Sequence, residues 1–219
     1  MRKTLNRQQL LELFDEWGAT GKYESDLESV EYRGYKVIAE TVGEYFTENR
    51  ETVKIVDVAA GTGLVGIKLQ ELGFKIMDWV DPSKGMMKTA ESRNIYDKYF
   101  TEYVGENKLP IDTDRYDCCV CAGGFGEGFM PVNALFDMTR IVKPGGLVIF
   151  NVIKSNLQTT DELRDRLMPL IDTFVADNIW KTMRRETLPN QIAGSDGYLM
   201  VYKVLVSEIT TVPQLPPLK

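Results

Sequence analysis

The 219-residue chain contains no histidine. It therefore lacks the side chain that most often serves as a general base near neutral pH and as a metal ligand. Cysteine is scarce: Cys118, Cys119 and Cys121 share one short apolar run. So close together they are poorly placed to pair with one another. An odd count without a secretory leader reads as reduced, intracellular thiols. With no histidine to complete a ligand set, zinc is not expected, and no metal site is assigned. No apolar run approaches the roughly 18–20 residues of a membrane span. The opening MRKTLNRQQLLELFDEW begins basic, but Glu12 and Asp15 interrupt the apolar stretch that a signal peptide needs. The expectation is a cytoplasmic protein without a membrane partner. A basic excess is also missing, since the net charge is −6. A long phosphate-binding surface needs clustered Lys and Arg, so no nucleic-acid partner is expected. Lys181, Arg184 and Arg185 are a small basic candidate, which competes with a reading as the solvated face of a strand.

What is present is ordinary globular material, 43% hydrophobic and 26% charged. The length suits one domain, which buries roughly 70% of its unfolded surface. Leu10, Leu11, Phe14 and Trp17 recur at helical spacing, and Gly18 is expected to stop that helix. After a polar link holding Gly21 and Tyr23, a second helix is expected from Ser29 to Phe46. From Val53 the pattern changes. VKIVDV, KIMDWV, Phe100–Val104, YDCCVCA and GLVIFNVI read as strands. Leu64–Leu72, KGMMKTAESR and PVNALFDMTRIV read as the helices between them, the last with Pro131 in its first turn. Asp161 is a candidate cap for a further helix bent by Pro169. IWKTMRRETL and GYLMVYKVLVSEI then follow with no helix between them, which predicts an antiparallel pair. Strand–helix alternation from Val53 to Phe150 predicts an α/β fold, a mostly parallel sheet with helices on both faces. The expected organisation is a helical cap over 1–50, a core over 51–209 and a Pro-rich, extended or disordered tail over 210–219.

The chemistry concentrates in VDVAAGTGLVG, Val56 to Gly66, where Gly61, Gly63 and Gly66 spell G-x-G-x-x-G after a strand and before a helix. Glycines let the backbone approach a ligand, and a helix N-terminus offers free N–H groups. Asp81, at the end of the next strand, is placed to hold ribose hydroxyls. Dinucleotides and S-adenosylmethionine both use such a loop and acid. Asp57 favours the second, because a carboxylate before the glycines would repel a pyrophosphate but receive an ammonium. Met86, in PSKGMM, suits an adenine face. The helix-free strand pair is unusual for a dehydrogenase. GGFGEGFM, with Phe125, Glu127, Phe129 and Met130, leaves the fourth strand as a mobile aromatic rim where an acceptor would enter. No NPPY-like segment follows that strand, so methylation of base amino groups loses support.

VDVAAGTGLVG, VDPSKGMM, ENKLP, YDCCVCAGG and VKPGGLVIF resemble the ordered motifs of class I methyltransferases, over Val53 to Phe150. FDEWGATGKYESDLESVEYRGY, DVAAGTGLVG and GGFGEGFMPVNAL are more narrowly similar to the methyltransferase-like protein 27 family. The resemblance implies a Rossmann-like, seven-stranded sheet with the last strand antiparallel, S-adenosyl-L-methionine as cofactor and S-adenosyl-L-homocysteine as product. It places Asp57, Ala59, Gly61 and Gly63 at the methionine end and Asp81 on the ribose. Pro82, Ser83 and Met86 flank the adenine, Glu106 and Asn107 lie at its edge, and Ala122 and Gly123 lie below the sulfonium. Tyr23 covers the carboxylate end; Trp17, Tyr32 and Arg33 match as well. The family often has Gly where this chain has Ala59, and Cys where it has Ala60. The expected reaction is in-line methyl transfer to a small-molecule acceptor, with no catalytic residue assigned. A nicotinamide-dependent (NAD) oxidoreductase and a non-catalytic S-adenosylmethionine-binding partner protein are the alternatives.

Overall fold

The computed structural model describes residues 5–209 of the chain, so the tail expected over 210–219 lies outside the described residues. Seven strands form one sheet in the order β3-β2-β1-β4-β5-β7-β6. They are β1 (Lys54–Val58), β2 (Ile76–Val80), β3 (Lys98–Phe100), β4 (Tyr116–Ala122), β5 (Val142–Ile153), β6 (Trp180–Ile192) and β7 (Ser195–Val204). Neighbours from β3 to β5 are parallel, while β7 runs antiparallel between β5 and β6. The fold expectation is met, including the reversed last strand.

Buried on both faces, the central strands are mainly apolar, interrupted by Asp57, Asp78 and Asp117 in β1, β2 and β4. Their alternation still sorts side chains: Cys118 and Val120 pack into one half of the core, Cys119 and Cys121 into the other. The first half is covered by α3 (Gly34–Tyr45), α4 (Leu64–Glu71) and α5 (Lys84–Glu91); the second by α6 (Ala134–Arg140) and α8 (Leu167–Ala176). The short α7 (Asn156–Thr159) precedes α8. β1 and β4 are the point at which strand order reverses, and ligands of open α/β sheets bind beyond the carboxyl ends of strands there.

Several local expectations need correction. α1 (Arg7–Ala19) runs through Gly18. A Cβ on Gly18 would stand 2.7 Å from Met86 Sδ, so this glycine serves close packing on α5 rather than a stop. The expected polar link is α2 (Lys22–Ser29), and α3 begins at Gly34 after a turn in which Glu31 is left-handed. The third strand lies at Lys98–Phe100, because register with Asp78–Val80 decides it, while Val104 is buried from a loop. Pro131 stands before α6 rather than within it. Asp161 pairs with Arg164 instead of capping a helix. Pro169 falls in the first turn of α8, where the missing N–H is not needed, so it does not bend the helix. The two arginines of the basic cluster are neutralised on a strand face: Arg184 pairs with Glu44 and Glu186, and Arg185 with Asp172.

Candidate cofactor site

Between β1 and α4 the chain reverses through left-handed backbone at Ala59 (φ 54°), Gly61 (φ 54°) and Gly63 (φ 89°). Trp79 Nε1 donates to the Gly61 carbonyl at 2.9 Å, fixing the turn to β2. Asp81 completes the clamp. One of its carboxylate oxygens accepts from Gly61 N–H at 3.0 Å and the other from Ser83 N–H at 2.9 Å. A carboxylate offers about four lone-pair sites, so each oxygen keeps capacity for a ligand.

Ala59 explains a feature of the sequence. Left-handed backbone costs an L-residue roughly 1–2 kcal/mol, which glycine escapes. Ala59→Gly is therefore expected to stabilise the fold by about 1 kcal/mol, read as a melting-temperature rise of roughly 2–4 °C. A lower melting temperature would mean that contacts of the Ala59 methyl outweigh the strain.

The amino-terminal helices roof this turn. Asn6 and Gln9 form a reciprocal capping box at the start of α1. Asp15 on α1 accepts from Ser83 Oγ at 2.7 Å and from Gly85 N–H at 2.8 Å, capping α5 from another helix. Gly85 permits this approach, since a Cβ there would collide with the Asp15 backbone. Phe14 meets Phe129 edge-on at 5.4 Å, and Trp17 meets Tyr23 at 4.9 Å. Arg7 lies over the Tyr103 ring and pairs with Glu106. Underneath is a cavity of about 260 Å³, close to the lower end of ligand pockets, roughly 300–1,000 Å³.

Burial sets the electrostatics. Asp57 is 1% exposed. One of its oxygens accepts from Tyr96 Oη at 2.6 Å, and Oδ1 has no partner among the described residues. Desolvation raises its pKa to about 7, opposed by the Tyr96 hydrogen bond and helped by nearby Asp81. Asp81 is raised to about 6, again by burial, against the two backbone hydrogen bonds. Burial also pushes the Tyr23 and Tyr32 phenols and all three cysteine thiols well up, so none of them is ionised near neutrality.

The cavity wall brings together Tyr23, Ala59, Gly61, Asp81, Pro82, Ser83, Met86, Ala122 and Gly123 from the sequence-derived set. It does not include Asp57, Gly63, Glu106 or Asn107. Gly63 turns its Cα towards Tyr96, Asp57 is buried beneath the loop, Glu106 is held by Arg7, and Asn107 is exposed. Sequence reasoning missed the share of α1: Leu10, Leu11 and Phe14 line the cavity, although their spacing reads only as a helical stripe. Ile153 and Ile192, at the ends of β5 and β6, were missed as well. No spacing signal carried Asp15.

Residues 55–146 match the family described as a methyltransferase domain. That stretch is a methyltransferase domain, and the sequence matches support an S-adenosylmethionine-dependent methyltransferase. It is 30% identical over 161 residues, 73% of its length, to human (Homo sapiens) methyltransferase-like protein 27. The chain spans less than two thirds of the length of the curated relatives it matches, 64% in that case. Among solved structures, the methyltransferase fold recurs in Burkholderia thailandensis 1,6-didemethyltoxoflavin-N1-methyltransferase with bound 1,6-didemethyltoxoflavin and S-adenosylhomocysteine. The TM-score is 0.64 at 13% identity, covering 90% of this chain and 88% of that one. It recurs in the methyltransferase solved with the Haloferax volcanii Trm112 activator. There the TM-score is 0.64 at 17% identity, covering 87% and 97%. At these identities the likeness concerns the fold alone.

Proposed function

We propose that the protein transfers a methyl group from S-adenosylmethionine to a small-molecule acceptor enclosed beneath its amino-terminal helices. The observation that carries this reading is the pairing of Asp81, clamped at the cavity wall, with a buried Asp57 whose Oδ1 is unpartnered beneath the glycine turn. Two carboxylates around one turn suit a ligand with ribose hydroxyls and an ammonium, and repel a pyrophosphate. The Thr62 hydroxyl, also buried and unpartnered among the described residues, adds a donor for a carboxylate end. In this reading Asp81 takes the ribose, with Pro82, Ser83 and Met86 at the adenine. Asp57, Ala59, Gly61 and Gly63 form the methionine end, which Tyr23 covers. Ala122 and Gly123 floor the transfer point, and Glu106 and Asn107 stay at the rim. Of the cap expected over 1–50, the described residues 5–50 act as a roof, and residues 51–209 as the core.

When bound, S-adenosylmethionine would supply an electrophilic sulfonium methyl, whose carbon bonds to an acceptor lone pair as its C–S bond breaks and the neutral thioether leaves. The chain's own contribution is placement, which carries much of a bimolecular barrier. No protein base is assigned: histidine is missing, the cavity's tyrosines are held protonated, and Glu127 is exposed away from the cavity wall. A small acceptor is favoured by the half-open, mainly apolar space, in keeping with the 1,6-didemethyltoxoflavin bound in one structural neighbour.

S-adenosylhomocysteine at about a hundred times its dissociation constant is expected to add roughly 2.7 kcal/mol of stability, a melting-temperature rise of about 5–10 °C. NAD is expected to add none. A rise with NAD and none with S-adenosylhomocysteine would overturn the reading in favour of an oxidoreductase. Labelled product from a metabolite extract and methyl-labelled cofactor would then identify the acceptor; label only in protein or RNA would overturn the small-molecule part.

A further inference from the structure

The turn between α2 and α3 is tied to the far end of the sheet. Arg33 N–H donates to the Gln191 carbonyl at 2.9 Å, and Ala193 N–H donates to the Val30 carbonyl at 2.8 Å. Between these ties Tyr32 turns inward and joins the cavity wall beside Gly123. A chain of hydrogen bonds fixes the amides nearby. Gly123 N–H donates to Asn151 Oδ1 at 3.0 Å, and Asn151 Nδ2 donates to the Gly34 carbonyl at 2.9 Å. With Asn151 so oriented, Gln191 must answer its Oδ1 with Nε2, at 3.0 Å. Gln191 Oε1 then lies against Gly197 and has no partner among the described residues. The Tyr32 hydroxyl is buried and also has no partner among the described residues.

Buried polar groups without partners are rare in folded proteins. On a cavity wall such a hydroxyl is a place for a ligand's lone pair. Burial holds the phenol protonated, so its O–H is available to donate a hydrogen bond. Elsewhere the cavity wall is mainly apolar, with Leu10, Leu11, Phe129, Met130, Ile153 and Ile192. Asp81 stands on the cofactor side, and Arg7, which also lines the cavity, is neutralised by Glu106. An ion buried against such a wall would be unpaired, which is strongly disfavoured.

We propose that Tyr32 is a positioning residue whose hydroxyl hydrogen-bonds the methyl acceptor, and that the acceptor is an uncharged, mainly apolar small molecule with an oxygen or nitrogen lone pair turned to it. The proposal rests on the methyl-transfer reading. Its test uses the full chain saturated with S-adenosylhomocysteine and probes of one ring size: 2-naphthol, naphthalene, 2-naphthoate and 2-naphthylmethylammonium. Binding is followed by ligand-observed NMR. The expected result is that 2-naphthol binds at least tenfold tighter than either ion. In Tyr32→Phe, 2-naphthol should weaken about tenfold while naphthalene and S-adenosylhomocysteine keep their affinities. Ions that bind as well as 2-naphthol, or no 2-naphthol binding, would overturn the substrate class. Equal losses for 2-naphthol and naphthalene, or lost S-adenosylhomocysteine affinity, would assign Tyr32 a structural or cofactor role instead. Should Tyr32→Phe not fold, Ile192→Phe, which narrows the same wall, is expected to remove 2-naphthol binding and spare S-adenosylhomocysteine; retained 2-naphthol binding overturns the proposal. Failure of S-adenosylhomocysteine to bind the unaltered chain would instead sink the methyl-transfer reading itself.

Discussion

Asp81→Ala is expected to weaken S-adenosylhomocysteine binding at least about a hundredfold, since two charge-assisted hydrogen bonds of roughly 1.5–3 kcal/mol each would be lost. The geometry supports a ligand role beyond the local one. Asp81 accepts one backbone N–H on each oxygen, from Gly61 and Ser83, and still lines the cavity. The substitution should also cost some stability, because those two N–H groups lose their partner, so binding must be measured by calorimetry on protein shown to be folded. The pH dependence gives a second handle. Burial raises Asp81 to about 6, so the carboxylate that accepts from hydroxyls is present above that value and lost as pH falls through it. Affinity in the unaltered chain should therefore decline as pH falls through about 6, on top of any decline from Asp57 near 7, and the part centred near 6 should vanish in Asp81→Ala. Equal affinities for the two proteins at pH 7.5 would reduce Asp81 to a clamp for the turn.

Asp57→Asn should have the opposite effects on stability and binding. Burial penalises the Asp57 charge and pushes its carboxyl from the ordinary aspartate value of 3.8 up to about 7 in the fold. A carboxyl whose folded pKa is raised adds stability below its unfolded value and loses it as pH rises through the folded one. Three pKa units correspond to roughly 4 kcal/mol, lost between about pH 4 and 7. Asparagine keeps the acceptor for Tyr96 but has no proton to lose. At pH 8 Asp57→Asn is thus expected to be more stable than the unaltered chain by a few kcal/mol, with the gap closing towards pH 4–5. Its S-adenosylhomocysteine affinity should fall, because the ammonium loses its carboxylate. Urea unfolding at both pH values, with and without S-adenosylhomocysteine, checks each part. Parallel pH slopes in the two proteins would show that Asp57 is not the buried acid driving the change.

The core of the fold was legible because its signals are local. Lys54–Val58, Ile76–Val80 and Tyr116–Ala122 are mainly apolar runs, each broken by one aspartate, and Gly61, Gly63 and Gly73 stand where the backbone takes positive φ. Errors fell where long-range partners decide. The placement of β3 depends on register with β2, and the order within the amino-terminal helices depends on what they pack against. Gly18 and Gly85 look like helix punctuation but serve close approach between α1 and α5.

By itself, then, the sequence determined the parallel sheet, the reversed last strand, the glycine turn and the acid at the end of β2, because apolar period and turn chemistry act over a few residues. Only the tertiary structure decided which side chains enclose the site. Asp15 reaches Ser83 and Gly85 across 68 and 70 residues, and Asn151 reaches Gly34 across 117. Such contacts leave no periodic trace, since they come from the packing of whole helices onto the sheet, where burial of apolar area sets the geometry and polar groups must then find partners at a distance.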